Sequence, residues 1–129
     1  MRSTADTSPT GDGKVLITIR ENDVAPRFDL ATEVLIASPG AGGAIEEQRT
    51  IVLPGASAED LCRLVISEGV RAVICGGIEE EYLNYLDWKN VRVIDSVIGP
   101  WERALALLGE GRLEAGDILL DRSGKASGG

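Results

Sequence analysis

Between Ser57 and Asp95 the chain twice passes from a segment of helical period into a short apolar run. Ala58, Leu61, Cys62, Val65 and Ile66 share one helical face before Gly69 and the run 71–75, and Ile78, Tyr82, Tyr85 and Leu86 do so before the run 91–95. A helix between two such runs demands parallel strands joined by a right-handed crossover, so the two runs belong to one sheet. Ser57 stands where it caps the first helix, with Asp60 three residues on in the manner of a capping box. A third helix opens at Gly99 and Pro100, carries Trp101, Ala104, Leu105 and Leu108 as its stripe, and ends at Gly109 and Gly111.

The first half has a different rhythm. Lys14–Arg20 (KVLITIR) reads as a buried strand, a polar loop follows, and 33–37 and 49–53 read as two more strands. Residues 39–43 (PGAGG) lack the Lys-Ser/Thr of a phosphate loop and join these two as a hairpin turn. The order βββαβαβα, without internal repeat, describes an α/β fold with a mixed five-stranded sheet flanked by helices. Ligands of such sheets sit outside the carboxyl ends of the parallel strands. That rim comprises residues 20–29, 75–79 and 95–99.

Aromatic residues are only 4% of the chain, so the core is built from Val, Ile, Leu and Ala. Residues 1–13 and 121–129 lack apolar periodicity and read as disordered tails, leaving 14–120 as one domain. The tails carry −1 and +1, so the net charge of −8 belongs to the domain. Such acidity excludes general nucleic-acid binding and attraction to anionic membranes, both of which need lysine and arginine. No apolar run reaches the length of a spanning helix, and the first residues lack the apolar stretch of a signal peptide, so a cytoplasmic location is expected. Cys62 and Cys75 are read as free thiols, Cys62 as packing on its helix.

Cys75-Gly76-Gly77-Ile78 is the most informative segment. A thiol at a strand end followed by two glycines lets backbone amides approach a ligand, while the alternative is a small core residue before a tight turn. Cysteine catalysis is disfavoured, since the chain has no histidine to serve as base and Glu79, Glu80 and Glu81 oppose a thiolate. Those glutamates match the dipole at a helix start better than a metal site, and no CxxC spacing marks zinc. Arg27, beside the only phenylalanine, either holds an anion or is a solvated arginine next to a core ring. Asp95 is either a carboxylate in the cleft or the cap of the following turn.

Taken together, V-A-P-R-F-D-L-A before the second strand, V-I-C-G-G-I after the first helix, V-R-V-I-D and the late G-R-L resemble the dinitrogenase iron-molybdenum cofactor biosynthesis family, the NifX, NifY and NifB C-terminal-like domains. The resemblance spans residues 15–113. It implies a ribonuclease-H-like motif with a mixed five-stranded sheet, and a non-catalytic protein that binds, carries or stores an anionic metal–sulfur cluster, such as an iron-molybdenum cluster. Pro26, Arg27 and Phe28 match the family's Pro-Arg/His-Phe stretch, and Cys75, Gly76, Gly77 and Ile78 occupy the loop after the fourth strand. Asp29 and Glu79 stand where the family usually has glycine, and the histidine frequent at the position of Arg27 is absent. Both acids repel an anionic cluster, and without histidine Cys75 remains as the one soft metal ligand.

The resemblance therefore implies a cluster carrier in which Arg27, Phe28 and the backbone of Gly76, Gly77 and Ile78 line the cofactor site and Cys75 is the metal ligand. Its partners are cluster donor and acceptor proteins, with monomer and homodimer both open. The alternative is a protein interaction module of the same fold that has lost the cluster, with Trp88, Tyr82 and Trp101 as exposed contacts. Hydrolase chemistry, suggested by the fold motif alone, lacks a cluster of carboxylates.

Overall fold

A computed structural model describes residues 13–39 and 45–119 of the chain. The segments expected as tails lie outside the described residues except for Gly13, as do residues 40–43 of the expected hairpin turn. Strand β1 (Lys14–Arg20) falls where its apolar run lies. A two-residue strand β2 (Asp23–Val24) folds straight back on it, pairing Ile19 with Val24 and Arg20 with Asp23. This hairpin replaces part of the expected loop, and its turn places Glu21 at φ 58°.

Strands β3 (Glu33–Pro39) and β4 (Ile45–Val52) form the expected antiparallel pair, with β4 longer than its apolar residues indicate. Helix α1 (Ala58–Ser67) begins at Ser57, whose hydroxyl accepts the Asp60 N–H at 3.1 Å. Strand β5 (Val70–Ile74), helix α2 (Glu80–Trp88), strand β6 (Arg92–Ile94) and helix α3 (Trp101–Gly109) complete the order. The main sheet runs β4-β3-β1-β5-β6, with β2 attached to β1. β1, β5 and β6 are mutually parallel, while β3 and β4 are antiparallel to their neighbours. The α/β architecture with a mixed sheet is thus present, carrying one short strand more than the five expected. No helix of the described residues is long and apolar enough to cross a membrane.

Strand alternation divides the core in two. Leu16, Val34, Ile36 and Val73 meet α1 and α2 on one face, and Val15, Ile17, Leu35 and Ile74 meet α3 on the other. After α3 the chain returns over this second face, burying Leu113 and bridging Ile98 to Ile118.

Thr18 interrupts the first face. It is fully buried, and its hydroxyl has no hydrogen-bond partner among the described residues. One position beyond the registered pair Ile17 and Ile74, it stands opposite Cys75. An unpartnered buried hydroxyl is destabilising, whereas valine keeps the β-branched shape without it. Thr18→Val is expected to stabilise the fold by about 1 kcal/mol, read as a higher urea midpoint at unchanged slope. A lower midpoint would show that the hydroxyl has a partner in solution.

Candidate functional site

β1, β5 and β6 all end at the same rim, and the segments leaving them enclose a cleft of about 740 Å³. One wall is the β1–β2 turn with Arg20, Glu21 and Asp23, the second is Gly76 and Gly77 with Pro26, and the third is residues 96–99. Buried Val24 and Val97 supply apolar lining. Glu21 and Ser96, two of the three non-glycine residues with positive φ among the described residues, both border this cleft. Left-handed backbone at non-glycine residues costs energy and gathers where loops are held for function. Ser96 is fixed by its N–H to the Gly76 carbonyl at 2.9 Å and by its hydroxyl to Asp95 at 2.9 Å. Gly99, at φ 125°, lets the Leu119 carbonyl pass against its Cα.

The segment before the 3-10 turn at Phe28–Leu30 is bonded to the loop after β5. The Gly77 N–H donates to the Pro26 carbonyl at 2.8 Å, and the Phe28 N–H donates to the Gly77 carbonyl at 2.8 Å. A Cβ on Gly76 would fall against the carbonyl oxygens of Ala25 and Pro26. The two glycines therefore lock two rim segments together. The amide of Gly77, expected to face a ligand, already has a backbone partner.

The remaining candidates separate. Phe28 is fully buried, 6.5 Å from the Tyr82 ring, and Ile78 packs partly buried on the same core. Cys75 is fully buried in this core too, because it continues the alternation of Val73 toward α1 and α2. Burial, and secondarily the charge of Asp95, push its thiol up to about 12, while burial and Glu59 push Cys62 up to about 11. Metal ligation needs an open path to the sulfur, and the fully buried Cys75 offers none. Among the described residues no three His, Cys, Asp or Glu side chains gather as a metal site. The residues present thus do not fit a cluster ligated directly through Cys75.

Arg27 is exposed and engaged by Asp29 in a fork, Nε to Oδ1 at 2.9 Å and Nη2 to Oδ2 at 3.1 Å. The fork raises the arginine pKa and holds the Asp29 carboxyl below its ordinary range. The acid expected to repel an anion is therefore spent on the base expected to attract one. Arg27 borders a smaller adjoining hollow, and Arg20 borders both hollows. The rim segments were evident in the sequence, but Arg20 was not singled out, since only the fork shows that Arg27 is occupied. Trp101, expected to be exposed, is half-buried and donates its Nε1–H to the Glu21 carbonyl at 3.2 Å, while Trp88 is 72% exposed.

Two consequences follow from the buried thiols. Iodoacetamide at pH 8 should leave Cys75 unmodified in the native chain and alkylate it in denaturant, and rapid native labelling would show that its sulfur reaches the cleft. The fold also keeps both thiols neutral above their ordinary value of 9.0. The stability this contributes is complete below about pH 9 and is lost as pH rises toward 11 and then 12, because the unfolded thiols ionise first.

A family model described as dinitrogenase iron-molybdenum cofactor matches residues 13–111. Among solved structures the chain is similar to the crystal structure of PH0822, with 17% identity and a TM-score of 0.71 over 79% of this chain and 93% of that one. It is similar to a Methanocaldococcus jannaschii protein provisionally assigned as a dinitrogenase, at 22% identity and TM-score 0.62 over 80% and 93% of the two chains. A Thermotoga protein provisionally assigned as NifB gives 20% identity and TM-score 0.63 over 87% and 99%. At these identities the likeness is one of fold. No curated protein matches.

Proposed function

Since this chain belongs to the dinitrogenase iron-molybdenum cofactor family, we propose that it is a small non-catalytic binding protein that carries an anionic metal–sulfur cluster, or a related anion, in the cleft at its parallel-strand rim. The observation that carries this reading is the cleft itself. It is about 740 Å³ in size, lies at the carboxyl ends of three parallel strands, and is bordered by two non-glycine residues held in left-handed backbone.

The lining suggests what kind of anion. Arg20 is its cation, while Glu21 and Asp23 stand at the same mouth. That balance disfavours a small ion of high charge density such as phosphate. A large, soft anion with charge spread over many sulfur atoms loses less to the carboxylates and gains more from Val24, Val97 and Ile98. Arg20 would hold it in place of Arg27, and Cys75 would support the wall through its neighbours and not as a ligand. Loose retention without a protein–metal bond suits a carrier that receives cargo from one protein of cofactor biosynthesis and yields it to another.

Anaerobic reconstitution with iron, molybdate and sulfide, followed by desalting and metal analysis, tests this. The wild type and Cys75→Ala are expected to retain metal, and Arg20→Glu to lose most of it while keeping its circular dichroism. A metal-free wild type would overturn the carrier reading. Loss in Cys75→Ala alone would restore direct ligation by the thiol and remove the role given to Arg20.

A further inference from the structure

We propose that the hollow between α1 and α2 is a docking pocket for a cationic side chain, lysine or arginine, presented by a partner protein. It measures about 360 Å³ and is lined by Glu59, Cys62 and Arg63 of α1 and by Glu81, Tyr82 and Tyr85 of α2. It shares no residue with the rim cleft, so it stands apart from the carrier reading.

Charge selects the occupant. Arg63, the one basic group in the lining, is tied to Asp60 in an ion pair. Glu59 and Glu81, each in the first turn of its helix, have no ion-pair partner among the described residues. Both act on Tyr82, which lines the same hollow: burial first, then Glu81, Glu59 and Glu79, raise its hydroxyl above the ordinary pKa. A cation entering there meets two carboxylates and two tyrosine side chains, the combination that favours lysine or arginine. The same helix already makes such contacts at its far end, where Lys89 Nζ lies 4.8 Å from the Trp88 ring centroid and 5.8 Å from that of Tyr85. Tyr82 has no such cation among the described residues.

The neighbourhood suits a protein more than a free amine. A second hollow of about 640 Å³ shares Arg63 and Tyr85 with the first and continues along Leu53, Pro54, Leu64 and Ile66. A segment whose basic side chain enters the first hollow can lay apolar neighbours along the second, beside exposed Tyr85 and Trp88. The chain's net charge of −8 steers such a partner toward it.

The test is titration of the ¹⁵N-labelled full chain with acetyl-Ala-Leu-Arg-Leu-Ala-amide, and with the same peptide carrying neutral citrulline for arginine. The arginine peptide is expected to shift the amides of residues 59–63 and 81–85 saturably, leaving 76–77 and 96–99 in place. Glu59→Gln/Glu81→Gln should weaken binding roughly tenfold, Tyr82→Leu should weaken it as well, and Glu102→Gln on α3 should not. Equal binding of the citrulline peptide, no loss in the double variant, or shifts confined to other acidic surfaces would each overturn the proposal.

Discussion

Gly76→Ala is expected to destabilise the fold by about 3 kcal/mol, while Gly77→Ala beside it changes stability by no more than about 1 kcal/mol. The contrast comes from what each new methyl group meets. At Gly76 it falls against two backbone carbonyls, those of Ala25 and Pro26, which cannot swing aside as a side-chain end can. Relief requires moving the 24–28 segment away from β5, and that strains the paired bonds between Pro26, Gly77 and Phe28. At Gly77 the methyl group sits 3.7 Å from the Pro26 carbonyl oxygen, an ordinary contact. The backbone there has no positive φ that would disfavour alanine. Urea unfolding of the two variants gives the answer, and equal losses would show that the segments do not pack this closely in solution. Because the same contact closes one wall of the cleft, Gly76→Ala should also lose cargo at temperatures where it remains folded.

The fold was legible wherever a period or a punctuating residue marked it. Gly69 between a helical stripe and an apolar run located α1 and β5, Ser57 located the cap, and the spacing of Trp101, Ala104, Leu105 and Leu108 located α3. β2 was not legible, because two residues carry no period and its hairpin depends on Glu21 accepting left-handed backbone. The bridge from Ile98 to Ile118 joins isolated residues across the whole of α3 and leaves no local pattern either. For the site, sequence order located the rim but not the direction of each side chain. Cys75 stands at a strand end open to two readings, a thiol facing a ligand or a small core residue, and the two-residue period running through Val73 assigns it to the face under α1 and α2. Arg27 and Asp29 are opposite charges two residues apart in the sequence, and the fold joins them in a fork. With Arg27 so engaged, the carrier proposed above relies on Arg20 as the cation at the cleft.

Phe28→Ala is expected to cost about 4 kcal/mol of stability, the largest effect of any substitution at the residues shared with the family motif. The ring is fully buried, packs against Tyr82, and anchors the 3-10 turn that follows the bonded rim segment. Removing it leaves a cavity beneath Ala25 and Ala31, whose small side chains cannot fill the space. A substitution that keeps most of the volume separates scaffold from contact. Phe28→Leu should lose only about 1 kcal/mol and, with no ring surface reaching the cleft, should retain metal after reconstitution as the wild type does. Thermal or urea unfolding measures the first quantity and metal analysis the second. A Phe28→Leu chain that is as stable as wild type yet empty of metal would mean that the ring touches the cargo, and the cleft would then have to open toward the core when loaded. Stable retention would instead assign the motif's phenylalanine to the architecture that holds Arg20, Gly77 and Ser96 around one opening.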